Sequence, residues 1–167
     1  MTIQPLIWPR HRICTQLTNL SIFTVLAPRG CGKTSILEKV IYDNNGPFSS
    51  TIEDVYVANI ETDRGTKERI RFYDTAGVEG GQAGEPQLPR HLTQAADGFL
   101  IVYSVEDRAS FQLAEALRKE IRAGCEKREV VVLVLGTKVD LAESRKVDTV
   151  QALNWAGGEK ELNFRHR

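Results

Sequence analysis

No apolar run in this 167-residue chain approaches the ~20 residues that a membrane-spanning helix needs, so none is expected. An excess of one charge is missing too. Lys and Arg number 22 against 22 Asp and Glu, a balance that indicates neither a nucleic-acid partner nor a polybasic membrane anchor. Cysteine is sparse: Cys14, Cys31 and Cys125 are odd in number, scattered and without metal-ligand spacing. Reduced thiols in a soluble cytoplasmic protein are the expectation. A Met-Gly start and a C-terminal cysteine are both absent, so no lipid anchor is expected. Acid is lacking from the whole N-terminal stretch, the first being Glu38. Pro5 and Pro9 break the amphipathic helix of a transit peptide, so residues 1–20 read as a poorly ordered extension. Residues 21–167 then form one domain, too short for two.

What is present centres on Arg29-Gly30-Cys31-Gly32-Lys33-Thr34-Ser35. Residues 21–27 read as a buried strand. Residues 33–42 carry helical apolar spacing at Ile36, Leu37, Val40 and Ile41. A glycine-rich turn between strand and helix points successive backbone N–H groups into one concavity at the positive end of the helix dipole. Residues Ala27, Pro28, Arg29, Gly30, Cys31, Gly32, Lys33, Thr34 and Ser35 would thus cradle phosphates. Lys33 adds charge for the outer phosphates and Thr34 a hydroxyl for magnesium. One position departs from G-x-x-x-x-G-K-[ST]: Ala27 replaces the first glycine. If the backbone there needs a glycine-only conformation, alanine adds ~1–3 kcal/mol of strain.

The remaining pattern alternates strands with helices. A turn-rich loop from Asp43 to Ser50 leads to a strand at 52–62, a hairpin turn at Asp63-Arg64-Gly65 and an antiparallel return over 67–74. Residues 75–90 are rich in glycine and proline, with a short helix over about 88–96. Gly98 to Ser104 is a continuous apolar run, as for a strand covered on both faces. A helix over 107–123, a buried strand from Val130 to Leu135 and a helix over 147–156 follow. This order predicts an α/β fold with a mostly parallel central sheet, helices on both faces and ligands at the strand carboxyl ends.

Three further motifs sit where that architecture would put a nucleotide. Thr51 opens the second strand, where its hydroxyl would reach the metal and its amide the terminal phosphate. Asp74-Thr75-Ala76-Gly77 would hold magnesium through Asp74, and the Gly77 amide would sense the terminal phosphate. Thr137-Lys138-Val139-Asp140 suits guanine: the Asp140 carboxylate would accept from N1–H and the 2-amino group, while Lys138 lays its stem over the base. Adenine offers neither donor and would leave that carboxylate unpaired, at a cost of about 2–5 kcal/mol.

Taken in order, these motifs resemble the Ras-type small GTPases with their P-loop NTPase fold, over roughly residues 21–157. Within them the chain is most similar to the κB-Ras subfamily, the NF-κB inhibitor-interacting Ras-like proteins. The most discriminating segments are Glu61-Thr62-Asp63-Arg64-Gly65 and Leu88-Pro89-Arg90-His91. The resemblance implies GTP/GDP and Mg2+ as cofactors. Thr34, Thr51 and Asp74 would be metal ligands, and Thr137, Lys138 and Asp140 base contacts. It also implies a monomer whose partners are IκB-type ankyrin-repeat inhibitors of NF-κB and regulators of Ral GTPases. Ras-type enzymes have a glycine at the Arg29 position and a water-orienting glutamine at the Val78 position. Both replacements predict slow hydrolysis, because phosphoryl transfer here rests on positioning water and on access for an arginine finger. No separate catalytic side chain is expected.

The chain departs from that family after Asp140. Its final strand, Ser-Ala-Lys loop and closing helix are not recognisable, and an incomplete domain with an exposed apolar face is the expectation. Two other readings use the same residues. One is a scaffolding pseudo-GTPase that binds nucleotide poorly. The other is a P-loop kinase or ATPase, which the guanine-type motif disfavours.

Overall fold

A computed structural model of the chain describes residues 4–6, 22–61, 65, 67–78, 86, 88–125 and 130–162. Its strands are β1 (Gln4–Leu6), β2 (Ile22–Leu26), β3 (Glu53–Glu61), β4 (Lys67–Thr75), β5 (Gly98–Ser104) and β6 (Val131–Thr137). The helices are α1 (Lys33–Tyr42), α2 (Arg90–Ala95), α3 (Arg108–Gly124) and α4 (Thr149–Leu162). One six-stranded sheet runs in the order β1-β6-β5-β2-β4-β3. β4, β2, β5 and β6 are parallel, and β3 and β1 are antiparallel at the two edges. The hairpin residues 62–64, most of the glycine-rich loop and residues 7–20 lie outside the described residues.

The apolar run Gly98–Ser104 is buried at every position, as a strand sandwiched between helical layers must be. On one face, Leu26, Phe99, Ile101 and Tyr103 meet Phe111, Leu117 and Ile121 of α3 and Ala152 of α4. On the other, Val25, Leu100 and Val102 meet Ile36 and Leu37 of α1. α3 starts where its periodicity predicts, and the Asp107 carboxylate caps it by accepting from the Ala109 amide at 3.0 Å.

Several expectations need correction. β6 extends to Thr137, and of its residues only Val134, Gly136 and Thr137 are buried. Leu133 and Leu135 stay half-buried against the cluster that holds Ile36 and Leu37 of α1, and Val131 against Phe23 and Ile70; Val40 of α1 is 69% exposed. A continuous apolar run suggests cover on both faces, but the run alone does not say whether an element is present to supply it. The last helix continues through Gly157 and Gly158 to Leu162. Residues 4–6, expected within an unordered extension, pair antiparallel with β6, Leu6 opposite Val134. They take the sheet edge where the sequence offers no recognisable final strand. They cover an edge of β6 that would otherwise be open.

Candidate nucleotide-binding site

The parallel strands place their carboxyl ends together: Val25 pairs with Asp74, Leu26 with Ile101, and Ser104 with Thr137. β2 is the point where the sheet order reverses direction, the place where open α/β sheets hold ligands. Here the chain turns from β2 into α1. Gly30 and Gly32 take left-handed φ values of 76° and 89°, which bends the loop around its own amides. α1 has no side-chain cap and no acid in its first turn, so its leading N–H groups and dipole face an anion without competition. α3 is the contrast, since Asp107 already claims an amide at its start.

Ala27 is fully buried and packs with Val25, Cys31 and Ile36. Asp43 and Lys138 are the only non-glycine residues at positive φ among those described, so Ala27 carries no left-handed strain. Its methyl group fills core instead. Lys33 is 6% exposed, with its Nζ 3.4 Å from the Pro28 carbonyl. Burial lowers its pKa, and the nearby Asp74 charge opposes that shift. Cys31 is buried and burial raises its thiol pKa. Arg29 and Gly30 are exposed at the lip, and Ser35 is half-buried.

Thr34, Thr51 and Asp74 come together beside Lys33. The Thr34 hydroxyl lies 2.8 Å from that of Thr51 and donates to Asp74 Oδ2 at 2.5 Å. Asp74 is fully buried, and its Oδ1 has no hydrogen-bond partner. Burial raises its pKa against the pull of the Thr34 hydroxyl and Lys33. A buried carboxylate with an orphaned oxygen beside two hydroxyls suits a hard dication that keeps water ligands, which is the habit of magnesium. Among the described residues no group of three His, Cys, Asp or Glu offers an alternative metal centre.

Gly77 lies directly on the phosphate loop, at φ 118°, where an added Cβ would meet Arg29 Cγ at 2.9 Å and Arg29 N at 3.0 Å. The Val78 amide donates to the Ala27 carbonyl at 2.8 Å, and its side chain packs on the α3-side core. The glutamine position of Ras-type enzymes therefore carries an apolar side chain that serves the interior.

At the carboxyl end of β6, Thr137 is fully buried. Its Oγ1 is 2.8 Å from the Cys31 carbonyl and 3.1 Å from that of Tyr103, so it ties β6 to the phosphate loop. Lys138 is half-buried and Asp140 is exposed. Two acids went unread in the sequence: Glu106, which ion-pairs with Lys138, and Glu120, whose carboxylate accepts from the Leu88 amide at 2.7 Å. Strand pairing offers a signal for the first, because Ser104 opposite Thr137 brings Glu106 beside Lys138. Nothing in the sequence pattern points to the second.

Fold and site together define a P-loop nucleotide-binding protein of the α/β class. A sequence profile described as "Ras family" matches residues 23–166. The chain is 49% identical over 132 residues to NF-kappa-B inhibitor-interacting Ras-like protein 2 of Homo sapiens, covering 77% of this chain and 67% of that one. It is 44% identical over 141 residues to the Xenopus laevis protein of the same name, covering 83% and 84%. With human NF-kappa-B inhibitor-interacting Ras-like protein 1 it shares 48% identity over 132 residues, covering 77% and 67%. The chain belongs to the Ras family, in the group of the NF-kappa-B inhibitor-interacting Ras-like proteins. Among the described residues no helix is long and apolar enough to cross a membrane.

Proposed function

We propose that the protein is a guanine-nucleotide switch that binds GTP and GDP with Mg2+ and hydrolyses GTP slowly. The observation that carries this reading is the convergence of Thr34, Thr51 and the orphaned Asp74 carboxylate beside the uncapped start of α1. Lys33 and the amides of residues 29–34 would hold the phosphates, with Ala27 and Pro28 forming the loop's base and Ser35 following Thr34. Thr34, Thr51 and Asp74 would hold magnesium, which when bound neutralises charge on the phosphates and stabilises the leaving oxygen. The Gly77 amide would meet the terminal phosphate. Thr137 would brace the base pocket, Lys138 would cover the base and Asp140 would read its edge.

Slow turnover follows from two side chains. Val78 has no polar atom to orient water and is turned toward the core. Arg29 stands exposed at the lip with its backbone against Gly77, where it obstructs an incoming arginine worth about 10³–10⁵ in rate.

The names of the relatives supply the partner class: inhibitors of NF-κB, which we take to be ankyrin-repeat IκB proteins, with regulators of Ral GTPases as a second class. In this reading a cytoplasmic monomer slows the degradation of those inhibitors. Identifying the nucleotide released on denaturing purified protein tests the proposal. GDP or GTP supports it; an empty site favours a nucleotide-independent scaffold, and ATP or ADP a different P-loop class.

A further inference from the structure

The loops that follow β5 and β6 are fastened to each other by backbone hydrogen bonds. The Val105 amide donates to the Thr137 carbonyl at 3.1 Å, and the Val105 carbonyl accepts from Lys146 and Val147 at 2.8 and 2.9 Å. Leu141 donates to the Lys138 carbonyl at 3.0 Å, closing a turn in which Lys138 itself has φ 59°. A lysine adopts that left-handed backbone only where its surroundings enforce it. The residues following β5 and β6 are thereby fixed side by side. Across this junction the Lys138 ammonium donates to the Glu106 carboxylate. The side chains are 34% and 28% exposed, so water screens the pair less than a freely solvated one. The neighbouring Asp107 is engaged in capping α3.

We infer that Glu106 is a positioning residue for guanine nucleotide: by holding the Lys138 ammonium, it lays that side chain's methylene stem flat as one wall of the base pocket. The inference rests on the guanine-nucleotide reading of the site. A lysine stem is an apolar surface with a charged tip. Fixed at its Cα by the left-handed turn and at its tip by Glu106, the stem has few rotamers left to lose when a base stacks on it. An untethered lysine would lose that freedom on binding. Glu106 need not touch the nucleotide to act this way.

Release of a fluorescent GDP analogue, mant-GDP, from the magnesium-loaded full chain tests this. Glu106→Gln should speed release about three- to tenfold with little change in melting temperature. Glu106→Asp should recover part of the loss. In a Lys138→Met background, which keeps a stem but no charge, adding Glu106→Gln should change nothing further. High salt should speed release from the wild type more than from Glu106→Gln. An unchanged release rate in Glu106→Gln overturns the inference while leaving nucleotide binding intact. An equal acceleration in the Lys138→Met background also overturns it, by showing a purely structural role. A wild type that retains no mant-GDP overturns both this inference and the guanine-nucleotide reading beneath it.

Discussion

Thr34, in the first turn of α1, and Asp74, near the end of β4, meet hydroxyl to carboxylate at 2.5 Å across 40 residues of chain. Neither element needs this contact for its own secondary structure. It holds a buried acid in place with one oxygen still unpartnered, an arrangement that costs stability until a cation arrives.

Replacing Asp74 with Asn should therefore stabilise the metal-free protein. The sign follows from the raised pKa of this carboxyl. A group that binds its proton more tightly when folded favours folding at low pH and loses that advantage as pH rises through its folded value. The melting-temperature gain of Asp74→Asn over wild type should be small near pH 4 and grow toward neutrality, measured without magnesium. With magnesium and nucleotide present the order should reverse.

Thr137→Ala should leave the buried carbonyls of Cys31 and Tyr103 without their shared donor. A loss of about 1–3 kcal/mol in chemical denaturation is expected. Because one of those carbonyls belongs to the phosphate loop, nucleotide release should also accelerate, and Thr137→Ser should restore both properties.

Single-turnover hydrolysis should distinguish the double substitution Arg29→Gly/Val78→Gln from wild type. Acceleration is expected, since the double substitution supplies a polar group to face water and clears the lip. No acceleration would mean that something other than these two side chains limits the rate.

Much of this architecture is legible in the sequence. The bounds of α1, the hairpin of β3 and β4 and the full burial of β5 all follow from apolar spacing and turn residues. So does the clustering of Thr34, Thr51 and Asp74: Asp74 lies near the carboxyl end of a parallel strand beside the turn into α1, and Thr51 precedes β3, whose first residue pairs with Thr75. Other features depend on partners that composition does not encode. Val131, Leu133 and Leu135 look like core, yet they remain half-buried, since burial depends on which helix lies above. Ala27 looks strained only if φ is assumed from the motif, and the backbone there is ordinary. Gln4–Leu6 carries no strand signature of its own and enters the sheet by pairing with β6. Glu106 looks like any surface acid until Ser104 and Thr137 are seen to pair.

In the proposed function, the loop before α1, with Lys33 and Thr34, holds a magnesium-complexed guanine nucleotide. Titrating GDP into wild type and Lys33→Ala by calorimetry, with circular dichroism to verify folding, tests it most directly. Tight magnesium-dependent binding to the wild type is expected, with at least a hundredfold loss (about 2.7 kcal/mol) in the folded variant. Equal affinity of the two folded proteins for GDP would contradict it.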